Sequence, residues 1–240
     1  MFKKAIISGV SLVALTVLLA ACGSSTTSSS SSSTSESTSM SSSMSTSSSS
    51  EATATSATAG EIIGSDTSSD GSATEITLPG DTVTFEVPAS SSEEYLHFAF
   101  MHAASGEKGW YFAPESEDGI ALSSSMFDDA DTVDITDQIA LFAAPDATTS
   151  TAVTANDGDL MYGTSDNYLK ATVTMENDMY VITIENTSTG DYETPFSSGV
   201  WEVTDMKETS FDHTASAALS TLATSGKRAD LYTEVKEDLN

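Results

Sequence analysis

Chemistry in this chain has to come from one thiol, three imidazoles, 36 carboxylates and a few aromatic clusters. The thiol is Cys22, directly after Leu19-Ala20-Ala21 and before Gly23. Small residues ahead of it suit a signal-peptidase cut, and only a thiol can take a diacylglyceryl group as a thioether. The carboxylates gather in Glu115-Ser116-Glu117-Asp118-Gly119, Asp128-Asp129-Ala130-Asp131 and Asn156-Asp157-Gly158-Asp159, each beside a flexible or turn residue. Calcium draws its oxygens from such groups. A chain this acidic also produces them as solvated surface, and no segment has helix–loop–helix calcium spacing. Among the imidazoles, His97 and His102 sit on one apolar run but differ in alternation parity. On a regular strand they face opposite sides, so they make no metal pair. His213 precedes a late helical stretch and is expected at the surface. Trp110-Tyr111-Phe112 invites a sugar-stacking reading, but filling a core accounts better for at least two of the three, and Trp201 reads as a core plug. No HExxH, paired cysteines, phosphate loop or Gly-x-Ser-x-Gly elbow occurs, so no catalytic signature is present and a non-enzyme is expected.

The elements that position these groups begin with a leader. Lys3 and Lys4 form a positive start, and residues 5–21 are apolar or small apart from Ser8, Ser11 and Thr16. The run is too short for a comfortable spanning helix. Residues 1–21 therefore read as a signal peptide, and Leu19-Ala20-Ala21-Cys22 resembles the lipobox of bacterial lipoproteins. That resemblance implies lipid on Cys22 and display on the outer face of the cell membrane of a Gram-positive bacterium. The net charge of −28 becomes −30 once the leader, with two of the eight basic residues, is gone. Phosphate backbones need basic partners, so nucleic acid is excluded. Adhesion to anionic lipid by charge is excluded too, leaving two acyl chains to anchor the protein, each methylene worth about 0.8 kcal/mol. With one cysteine no disulfide can form within the chain.

From Gly23 to about Ala59 the chain is almost wholly Ser and Thr, with no aromatic residue and no apolar period. Such a stretch cannot offset its ordering entropy by burial. Residues 22–71 are expected to be a lipidated, disordered tether with an end-to-end distance of about 35 Å, although Ile62-Ile63 could open an edge strand. The domain is expected over 72–240. Thr82–Val87 alternates, with Val83, Phe85 and Val87 on one face. Tyr95–Met101 is apolar nearly throughout and reads as a central strand; Trp110–Pro114 is a short aromatic one. The second half of Ile135–Ala144 should be a strand. Leu169–Met175, with Leu169, Ala171, Val173 and Met175 facing in, turns at Glu176-Asn177-Asp178 and returns with Tyr180, Ile182 and Ile184 inward. Val200–Val203 is a further strand. Ala215–Thr224 reads as a helix with Leu219, Leu222 and Ala223 on one stripe and Gly226 as its C-cap; the remainder could extend as a second short acidic helix. Many short strands with polar turns point to an all-β, antiparallel β-sandwich with a short C-terminal helix.

Several segments, in order, resemble bacterial spondin domains, the module that opens the matrix protein F-spondin. They are Tyr95–Met101, Trp110-Tyr111-Phe112-Ala113-Pro114, Asp118-Gly119-Ile120-Ala121-Leu122, Asp134-Ile135-Thr136-Asp137-Gln138-Ile139-Ala140-Leu141-Phe142, the Leu169–Val173 and Tyr180–Asn186 hairpin, and Gly199-Val200-Trp201 followed by the late helix. The resemblance covers about residues 72–231 and implies a sandwich like that of a C2 domain, with calcium bound in loops at one end. Family ligands include an Asp just before the Trp and acids after the Leu-Trp. Here Gly109 precedes Trp110, with Glu107 two places further back. Ala143 replaces the first acid after Phe142, and Asp146 stands one place out of register. The calcium ligands the resemblance implies are thus a degenerate set: Glu107, Asp118, Asp137 and Asp146.

The expectation is a non-catalytic, membrane-anchored module that binds or adheres to an extracellular protein or glycan. The alternative is a calcium-dependent structural domain with a degenerate spondin-type metal site. A solute-capturing lipoprotein would need two α/β lobes, which this pattern does not offer.

Overall fold

The structure, a computed structural model, describes residues 57–66 and 75–239. The expected signal peptide, Cys22 and nearly all of the expected Ser/Thr tether lie outside the described residues. In chain order the strands are β1 (Thr58–Ile62), β2 (Thr82–Pro88), β3 (Glu94–His102), β4 (Trp110–Pro114), β5 (Ile120–Leu122) and β6 (Thr132–Asp134). They continue as β7 (Ile139–Ala143), β8 (Thr151–Ala152), β9 (Leu169–Glu176), β10 (Met179–Asn186) and β11 (Phe196–Thr204). Two short helices follow, α1 (Ala217–Ser225) and α2 (Ala229–Asp238). All pairings are antiparallel. The protein is therefore an all-β, sandwich-like fold of two sheets, one ordered β1-β11-β3-β4-β7-β8 with β5 also on β3, the other β2-β10-β9-β6.

Period-two patterning builds the sandwich core. Val83, Phe85 and Val87 from β2 and Tyr180, Ile182 and Ile184 from β10 meet Leu96, Phe98 and Phe100 from β3 and Phe112 from β4. Phe100 lies 5.2 Å from Phe112 and 5.3 Å from Phe196, ring centre to ring centre. Trp201 stacks on Phe85 at 5.9 Å, which makes it the core plug its sequence suggests. Trp110, Tyr111 and Phe112 are all buried. The β9–β10 hairpin turns through Asn177 (φ 51°) and Asp178 (φ 63°), both left-handed, as a two-residue hairpin of this twist requires. Met175 departs from expectation: its side chain is exposed near the end of β9, although Tyr180 opposite it is buried.

A second core lies on the opposite face of the large sheet. Ala99, Tyr111, Ala113, Phe142 and Val200 receive Leu219, Leu222 and Ala223 from α1 and Leu231 and Val235 from α2. Ser216 caps α1 by accepting from the Leu219 N–H at 3.1 Å, and Gly226, at φ 70°, ends it by donating to Leu222 O at 2.8 Å. β3 is consequently covered on both sides, and all nine of its residues are buried.

The folded region extends upstream of the boundary expected at residue 72. β1 pairs along β11, with Ile62 buried in the sandwich core and Gly60 beneath Trp201, where a Cβ would come within 2.4 Å of the indole. Arg228, ahead of α2, clamps the strand by donating from Nε to Glu61 at 2.5 Å and from Nη1 to Glu75 and Ser198. No helix among the described residues is long and apolar enough to cross a membrane.

Candidate functional site

The pairing of β4 with β7 decides where the acidic candidates fall. Trp110 stands opposite Ala143 and Pro114 opposite Ile139. Glu107 and Asp146 flank the Trp110 end of this ladder, whereas Asp118 and Asp137 flank the Pro114 end. Four residue steps at roughly 3.3 Å each separate the ends by about 13 Å. The four carboxylates thus form two pairs at opposite ends, all exposed. Asp146 turns inward on its own loop: Oδ1 accepts from the Thr148 hydroxyl at 2.7 Å and the Thr148 N–H at 2.9 Å, and these bonds hold the carboxyl below its ordinary range. Among the described residues no group of three or more His, Cys, Asp or Glu side chains is arranged to hold a metal ion.

Asp137 instead belongs to a groove of about 1020 Å³ along the outer edge of β7. Ile139, Leu141, Phe142 and Val153 contribute apolar surface. Glu115, Glu117, Asp134, Asp137 and Asp166 supply carboxylates, Tyr162 an aromatic ring, and no lysine or arginine appears among the described lining residues. β8 covers only the Phe142–Ala143 end of β7, which leaves the rest of that edge to form the groove. The far wall is stitched on by Ser165, whose hydroxyl donates to Thr136 O at 2.5 Å, and by Thr136, whose hydroxyl accepts from Ala171 N at 2.9 Å. Hydrogen bonds from Thr136 hold the Asp134 carboxyl below its usual value, so it stays ionised. A groove of this volume, with an apolar bed and carboxylates around it, suits a hydroxyl-rich or positively charged ligand group.

His213 also lines the groove. It is partly buried rather than at the surface: its ring packs edge-on against Phe142 at 4.6 Å, and Nε2–H donates to Pro114 O at 3.0 Å. The carbonyl can only accept, which assigns the hydrogen to Nε2. Nearby, Tyr111 Oη lies 2.9 Å from Ser150 Oγ and donates to Asp212 O at 2.7 Å. A main-chain carbonyl is not a base, so this chain of bonds positions Ser150 rather than activating it.

The two other histidines show why parity mattered. His102 faces the sandwich core beside Trp110, Phe112 and Tyr168, and burial lowers its pKa to about 4. His97 faces the helix side and pairs with Asp212, Nδ1 lying 3.1 and 3.2 Å from the two carboxylate oxygens. Both side chains are fully buried. Burial disfavours the charge on His97, but the hydrogen bond and charge of Asp212, with Glu202 and Glu208 behind it, raise its pKa overall. Glu202, cross-strand from His97, is pushed up by burial and accepts from the Ser210 hydroxyl. Sequence reading singled out neither Asp212, Glu202 and Ser210 nor Asp134, Tyr162 and Asp166. One signal for Asp212 existed: a histidine inside a strand apolar on both faces needs a partner, and Phe211-Asp212 offers an acid beside an apolar anchor.

No family model, curated protein or solved structure matches this chain.

Proposed function

We propose that this chain is a lipid-tethered binding module displayed on the outer face of the cell membrane, and that its acidic groove contacts an extracellular protein or glycan. The observation that carries the reading is the groove itself, an open, walled, carboxylate-rich surface beside a rigid sheet. The lipobox-like Leu19-Ala20-Ala21-Cys22 and the Ser/Thr stretch behind it support the display, and the order of segments resembling a spondin domain supports a surface role. Carboxylates accept hydrogen bonds from sugar hydroxyls or from lysine and arginine, and the Tyr162 ring offers a stacking face. The test is titration of the full chain against cell-wall fractions, matrix proteins and glycans. Saturable binding, weakened at least tenfold by Tyr162→Ala combined with Asp166→Asn, is expected. No saturable binding to any of them overturns the reading. Mature protein free in the medium with an unmodified Cys22 overturns the display.

A second reading has one observation in its favour: Asp137 lines the groove with Glu117, Asp134 and Asp166. Calcium bridging such acids would order the groove walls, as the alternative of a calcium-dependent structural domain requires. Metal binding only the native state raises the unfolding temperature. A rise at millimolar calcium, lost in Asp137→Asn, supports this reading; no rise removes it.

A further inference from the structure

Residues 205–216, between β11 and α1, pass over His97 and carry Asp212. Their attachment is unusual in its polar content. Beyond the Asp212 pair, Ser210 donates to Glu202, and Thr209 donates to Glu117 at 3.4 Å. Two buried polar atoms nearby are left with no hydrogen-bond partner: His97 Nε2, which faces Gly119 on the side away from Asp212, and Asp205 Oδ1, at the start of the loop. Buried orphans of this kind are scarce in native proteins and costly. The loop is therefore held by charge-dependent contacts at Asp212 and Ser210 beside neutral ones at Phe211, the Asp212 carbonyl and His213.

The same residues reach the groove. His213, next to Asp212, forms part of its lining. Tyr111 ties the Asp212 carbonyl to Ser150, another lining residue. Glu117, which accepts from Thr209, is a third. We propose that His97 is the proton-bearing pin of a latch, and that loss of its proton loosens residues 205–216 and alters the groove wall through His213, Ser150 and Glu117.

The electrostatics follow from the groups around the ring. Asp212 and Glu208 face it from the loop, Glu202 from β11, and the backbone of Gly119 from the β4–β5 turn, where a Cβ would lie 2.7 Å from Nε2. Tyr111 reaches in from β4, and its phenol is kept protonated by burial. Tyr95, on His97's own strand, is likewise held protonated, mainly by its bond to Glu93, with Asp118 adding to the effect and Lys207 5.5 Å from its ring centre. Imidazolium balances Asp212 inside this shell. Neutral imidazole leaves two buried carboxylates facing each other without a cation, which low-polarity surroundings penalise. Because the pKa of folded His97 lies above its ordinary value, the contribution of the pair is complete below about pH 6.5 and is lost as pH rises through that higher value.

This proposal takes the groove as the binding surface, but its test needs no ligand. The imidazole resonances of the full chain are followed by NMR from pH 5 to 9, together with amide hydrogen exchange over 205–216. The expected result is a His97 midpoint above 6.5, shared by the Ser150 and Glu117 amides, with exchange in the loop rising at least tenfold across it. In His97→Gln the shared midpoint disappears. In Asp212→Asn, a second variant of unchanged shape, the His97 midpoint falls. A His97 that titrates while Ser150, Glu117 and the loop stay unmoved overturns the latch, as does a His97 silent over the whole range. Groove binding can fail with these results intact, and the reverse also holds.

Discussion

The two faces of β3 solve the burial of a histidine in opposite ways. On the sandwich face His102 is kept neutral by burial among aromatic neighbours, with Thr194 Oγ1 3.4 Å from Nδ1. On the helix face His97 meets Asp212, which favours its charged form. The sandwich face is a shape-matched apolar core with little to titrate, whereas the helix face mixes small apolar residues with an ion pair and a loop that must cover it. One face needs its histidine without a proton and the other is helped by a proton on its histidine, so the two respond to pH in opposite directions.

Four changes break or sharpen that contrast. Phe112→Ala empties the centre of the aromatic cluster and should cost about 4 kcal/mol in denaturant unfolding, alike at pH 6 and pH 9. Asp212→Ala leaves His97 buried without its counter-charge; a loss of about 3 to 4 kcal/mol is expected at pH 6, shrinking by pH 9, where the wild-type pair has already weakened. Equal losses at the two pH values would mean that the helix face does not respond to pH. His102 acts in the opposite pH direction. Its depressed pKa of about 4 means the unfolded chain takes up the proton first, so stability falls as pH drops from about 6.5 toward 4, by roughly 3 kcal/mol. His102→Phe should abolish that acid slope and expose the opposing trend of His97. Smallest is Gly226→Ala. At φ 70° an L side chain is strained, and its Cβ would sit 3.0 Å from Ser197 Cβ. A loss of about 1 kcal/mol, read as a lower unfolding temperature, would show how much the C-cap of α1 contributes to the helix layer.

The sandwich face was legible because alternation writes it directly: Val83, Phe85 and Val87, then Tyr180, Ile182 and Ile184, fall where period two puts them. β3 was legible as a central strand for the same reason. β1 was legible only at its end, where Ile62-Ile63 suggested an edge strand; Thr58-Ala59-Gly60-Glu61 has no apolar period and becomes a strand through its pairing with β11 and its clamp on Arg228. The site was less readable than the fold. Parity separated His97 from His102 correctly, but the partner of His97 lies 115 residues away, a distance no local pattern spans. An acid cluster drew attention to Asp118 and the spondin resemblance to Asp137, yet the groove depends on β8 stopping short along β7, which pairing alone decides.

The groove as contact surface is tested most directly by carboxylate footprinting of the full chain, free and bound to the wall, matrix or glycan fraction that retains it. The account predicts that Glu117, Asp137 and Asp166 lose labelling on binding while Asp129 and Asp178, outside the groove lining, keep theirs. Protection at Asp129 or Asp178 with the groove carboxylates still fully labelled would contradict it.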